Sequence, residues 1–90
     1  MTSPSLPLRA ELAHRISTAR RAAGLTRTRL CALSGVGHSS LRGIEHAHRA
    51  GRIETLIAVC DALGIDLGDL VAGLPDVRDP AMRELWRRAA

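Results

Sequence analysis

Residues Thr26 to Glu45 read TRTRLCALSGVGHSSLRGIE, and this stretch decides the fold. Two short helical runs are joined by Ser34-Gly35-Val36-Gly37. Thr26 suits the start of the first run, because its hydroxyl oxygen accepts a backbone N–H that a helix start leaves unpaired. Leu30, Cys31 and Leu33 form the inward side of that run. Gly35 follows one turn after Leu30 and Cys31, where the chain needs a left-handed conformation that glycine adopts without strain. Cys31 is small enough to let the two helices approach closely. Val36 plugs the turn, and Leu41 and Ile44 pin the second run, from about His38 to Glu45, onto the first. Such a rigid corner leaves the N-terminal half of the second helix protruding. The major groove of B-DNA admits a helix of that size.

Helical periodicity continues on both sides. Upstream, Leu8, Leu12, Ile16, Ala19 and Ala23 recur at spacings of four and three, which is one helical stripe. Pro7 suits a first turn and Gly24 the position just past a helix end. Downstream, a helix from about Arg52 to Leu63 carries Ile53, Leu56, Ile57, Cys60 and Leu63 inward and closes at Gly64. Asp66 caps a fifth piece with Leu67, Leu70 and Val71. Gly73-Leu74-Pro75 breaks the pattern, and Asp79-Pro80 reads as cap plus first residue of a last helix. That helix carries Met82, Leu85, Trp86 and Ala89, with Arg83, Arg87 and Arg88 elsewhere. The expected organisation is all-α. Residues 1–6 form a disordered lead, 7–73 a five-helix domain, and 74–90 a linker and a short extra C-terminal helix for dimerisation or packing.

Composition narrows the function classes. The chain has 90 residues, one Trp and no Phe or Tyr, so the core must be aliphatic and one domain is the natural reading. All 13 basic residues are arginine. Residues 1–52 hold nine of them against only Glu11 and Glu45, whereas residues 53–90 hold four against seven acids. The first half therefore suits a polyanion and the second water or a partner. Cys31 and Cys60 lie inside apolar helical patterns and read as buried, reduced thiols. The start of the chain lacks the apolar core of a signal peptide, and the longest apolar run, Leu56 to Cys60, is far too short to span a membrane. A cytoplasmic protein is expected. No Ser-His-Asp arrangement, glycine-rich phosphate loop or paired carboxylates stand out, so an enzyme is not expected. Asp66 and Asp69 are better read as helix-start acids. The His46-x-His48 pair is a poor match to metal-ligand spacing, and neither metal nor cofactor is expected.

The stretch from Leu12 to Leu70 resembles the phage-repressor-like (XRE) helix-turn-helix family, which includes the lambda and 434 repressors and Cro. The resemblance rests on Arg20 with Gly24-Leu25-Thr26, then Leu30, Gly35-Val36, Leu41, Ile44-Glu45 and Leu56 through Leu63-Gly64-Ile65. It implies a five-helix fold and operator binding, usually as a dimer. It also implies that Arg20 of the first helix meets Glu45 at the end of the recognition helix. The chain departs from the family at four positions. Arg27 stands where Gln is usual, Gly37 where Ser or Thr is favoured, Ala47 where Gly is favoured and Gly51 where Pro is favoured. The loop from His46 to Arg52 is therefore expected to take its own path.

These readings give a set of candidate contacts. His38, Ser39 and Arg42 are the candidate base readers, with Arg42 first because its fork matches guanine O6 and N7 together. Gly43 occupies another reading position but offers no side chain, so it only permits close approach. Arg27, Arg29, Ser40, His46, His48, Arg49 and Arg52 are the candidate phosphate contacts. The expected partners are double-stranded DNA and a second copy of the chain, with Leu85 and Trp86 as the candidate dimer interface. The expected function is operator binding by a transcriptional regulator, of repressor type. The alternative is a protein-interaction module on the same fold, such as the antitoxin of a toxin–antitoxin pair.

Overall fold

A computed structural model describes residues 6–74. Five helices follow one another: α1 (Leu6–Ala22), α2 (Arg27–Ser34), α3 (His38–Glu45), α4 (Ile53–Leu63) and α5 (Leu67–Val71). No strand occurs among the described residues. The expected C-terminal helix, with Leu85 and Trp86, lies outside them.

The helix ends are set by local chemistry. Thr26 adopts an extended conformation and its hydroxyl accepts from the Arg29 N–H at 3.1 Å. Asp66 does the same for Gly68 at 2.8 Å. Gly37 leads into α3 with no side chain to cap it. Gly35, at φ 74°, ends α2 and returns its N–H to the Cys31 carbonyl. Ser34 locks the same corner, donating to the Leu30 carbonyl at 2.7 Å and accepting from the Val36 N–H at 3.2 Å.

α1 packs against α3 and α5, α2 against α3 and α4, and α4 against α5. The shared core holds Leu12, Ile16, Leu30, Cys31, Leu41, Ile44, Leu56, Val59, Cys60 and Leu70. Leu41 and Ile44 are fully buried, and each such side chain contributes about 1.5–3 kcal/mol. They fix which side of α3 faces inward.

Three inward expectations are corrected. Leu33, Ile53 and Ile57 are 49%, 60% and 51% exposed. For Leu33 and Ile57 the cause is the width of the buried arc, whereas Ile53 stands at the first position of α4. α4 buries Leu56, Val59 and Cys60, and at about 100° per residue Ile57 falls well outside that arc. Leu33 is displaced in the same way from Leu30 and Cys31. Leu63 is half-buried. No helix among the described residues is long and apolar enough to cross a membrane.

Candidate nucleic-acid interface

α3 presents two different sides. Leu41 and Ile44 face the core, whereas His38, Ser39 and Arg42 are exposed and Ser40 is half-buried. A helix anchored by two buried aliphatics cannot rotate without exposing them. The three polar side chains are thus held outward by the core.

The end of α3 is tied to α1. Arg20 donates from Nε to both Glu45 oxygens and from Nη2 to Oε1, and its Nη1 reaches the Leu25 carbonyl. The Glu45 side chain is 2% exposed. Ser17 donates a further hydrogen bond to Oε1 at 2.9 Å. Arg27, the candidate phosphate contact at the start of α2, has its Nε 3.7 Å from the same oxygen, with its side chain 42% exposed. Its charge is shared between Glu45 and the surface. Burial pushes the Cys31 thiol above its ordinary range, and the nearby Glu45 carboxylate adds to the shift. Cys60 shifts upward too, by burial and then by Asp66.

The loop after α3 has an unusual backbone. Ala47 sits at φ 61°, a left-handed conformation rare for a residue with a Cβ, and Gly51 at φ 85°. Proline, fixed near −65°, has no access to the Gly51 conformation. The loop folds back on α3, with the N–H groups of His48 and Arg49 directed at the Gly43 carbonyl. Arg9 pins it from α1 by donating to the His48 carbonyl at 2.8 Å. The His46 and His48 rings meet edge to face at 5.9 Å. Both histidines are exposed.

Ser40, Arg49 and Arg52 line one groove with Ile44, Gly51 and Thr55, of about 460 Å³. The groove reaches the start of α4, where Arg52 provides no side-chain cap. The N–H groups there favour an anion. Arg49 also lies across Gly43, which is buried despite having no side chain. Residue type alone did not single out Thr55, Arg9 or Ser17. Thr55 could have been found from its place three residues after Arg52, on the same side of a helix start.

The arginines divide into two groups. Arg15 pairs with Glu11 and donates to the carbonyls of Leu70 and Ala72 at the end of α5, so it holds the fold together. Arg20 is likewise consumed internally. Arg21, Arg29, Arg42, Arg49 and Arg52 make no ion pair among the described residues. Arg21 stands in the last turn of α1, and the other four stand on α3 or on the segments that flank it in the chain.

A family model described as a helix-turn-helix domain matches residues 11–74. The chain belongs to the helix-turn-helix domain family. The match spans α2, the Gly35 turn and α3, the two helices and corner that define the motif. Comparisons with curated proteins and with solved structures returned no match. In DNA-binding helix-turn-helix proteins the second helix of the motif lies in the major groove, and α3 holds that position in the motif here.

Proposed function

We propose that this helix-turn-helix domain is a phage-repressor-like transcriptional regulator that binds operator DNA with α3 in the major groove. The observation that carries the reading is the cluster of Arg29, Arg42, Arg49 and Arg52, which make no ion pair among the described residues, on and beside an α3 whose polar side is fixed outward. Guanidinium groups gathered on and beside one exposed helix face suit the neutralisation of phosphates and contact with base edges. Arg42, His38 and Ser39 read base edges in this account. Arg29, Arg52, Ser40, His46 and His48 hold the backbone, with Arg27 contributing the part of its charge that Glu45 leaves free. One phosphate fits the groove between Ser40 and Arg52, at the uncapped start of α4.

A single recognition helix covers only a few base pairs. Two copies on half-sites about one helical turn apart supply the rest, so the regulator acts as a homodimer on DNA in the cytoplasm. Selection from a pool of random duplexes tests the reading. A two-fold-related site containing guanine in each half is the expected product.

A further inference from the structure

Gly43 is a costly choice for its place. It sits inside α3 in ordinary helical conformation, where glycine weakens a helix by about 0.5–1 kcal/mol relative to alanine. Its backbone does not need glycine; its missing Cβ makes room for one thing. A Cβ built on Gly43 falls 2.6 Å from Arg49 Nε, 3.1 Å from Cδ and 3.3 Å from Cγ. The Gly43 carbonyl faces the Arg49 N–H as well, at 3.3 Å, so backbone and side chain of Arg49 are both laid on this one residue. The Arg49 guanidinium has no ion-pair partner among the described residues. Gly43 follows Arg42 directly and lies between the exposed side of α3 and the Ser40 groove.

We propose that Arg49 is a base-reading residue: the loop supplies, across Gly43, the side chain that this position of α3 lacks. The proposal rests on the duplex-binding reading of α3. It makes Arg49 a second guanine reader beside Arg42 and not a backbone anchor. An arginine fork is suited to guanine O6 and N7, and a free guanidinium laid along the helix surface is carried into the groove with the helix.

The test measures binding of the full chain and its variants to the selected site, to sites changed at each base pair, and to random duplex. Arg49→Ala is expected to weaken the selected site by roughly 5- to 150-fold. It should relax preference at one base pair different from the one that Arg42→Ala relaxes, with little change on random duplex. Arg49→Lys keeps the charge but not the fork, and is expected to lose the same preference at an unchanged salt slope. The nearest atoms that Gly43→Ala meets belong to the Arg49 side chain, from Cγ to Nε, so the variant should stay folded by circular dichroism and lose preference at that base pair too. If Arg49→Ala weakens selected and random duplex equally and lowers the salt slope by about one, Arg49 is a backbone anchor and the proposal is wrong. Wild-type chain that binds no duplex overturns the duplex-binding reading itself, and the role of Arg49 with it.

Discussion

Arg20 closes its guanidinium on the Glu45 carboxylate with three contacts of 3.1–3.2 Å, tying the end of α3 to α1. Both side chains are buried, at 10% and 2% exposure. Removing one charge leaves the other buried and unpaired, which costs about 3–5 kcal/mol. Glu45→Gln is therefore expected to lower the unfolding free energy in urea by about 3 kcal/mol or more. Arg27→Ala, which breaks only the half-exposed 3.7 Å contact, is expected to cost about 1 kcal/mol or less. An unchanged urea midpoint in Glu45→Gln would show that the pair is not structural.

The loop after α3 carries two opposite expectations. Gly51→Ala adds a Cβ at φ 85° and 2.7 Å from Ile44 Cδ1. Ile44 is fully buried and has no room to yield. A loss of about 1–3 kcal/mol is expected. Ala47→Gly removes a Cβ from a left-handed position that costs an L-residue roughly 1–2 kcal/mol, offset in part by the freer unfolded chain. A gain of up to about 1 kcal/mol follows. Melting curves of the two variants should move in opposite directions.

Base and backbone contacts separate under mutation. Arg42→Ala is expected to lose roughly 1–3 kcal/mol of affinity and to relax preference at one base pair. Arg52→Ala is expected to weaken every sequence alike and to lower the salt slope by about one. Titrations at several salt concentrations, on selected and random duplex, distinguish the two. Full affinity and unchanged preference in Arg42→Ala would mean that another side chain reads the base.

The two thiols give a pH dependence with a defined sign. Both titrate above the ordinary thiol value of 9.0 in the folded chain, first because they are buried. The folded chain then keeps protons that the unfolded chain gives up. Their contribution is complete below the unfolded thiol value and falls as pH rises through 9 towards the folded values. Stability is expected to decline over that window, and the decline should shrink in a Cys31→Ala, Cys60→Ala double variant. A thiol reagent at pH 8 should label both residues only at the rate of unfolding.

Much of the site was legible because its residues are unusual for a plain amphipathic helix. Gly35, Val36, Leu41 and Ile44 specify a corner, and the caps Thr26 and Asp66 specify where helices begin. Periodicity set the arc of α4 too wide, since apolar spacing alone does not say how much of a helix its neighbours cover, and so Ile57 came out exposed, as did Ile53 at the first position of the helix. The Arg9–His48 contact joins residues 39 apart and depends on the path of the loop. Arg49 over Gly43 depends on Ala47 taking a conformation that alanine does not favour, and local propensity could not have shown it.

The central claim is that α3 reads duplex DNA. Its most direct test is binding of the wild-type chain at low salt to the best duplex selected from a random pool, against a scrambled duplex of the same length. The account predicts a guanine-containing site preferred by at least about a thousandfold, within the usual range for specific over non-specific binding, with affinity falling steeply as salt rises. Absence of duplex binding at low salt, or equal affinity for the selected and scrambled duplexes, would contradict it and would turn the fold toward a protein partner instead.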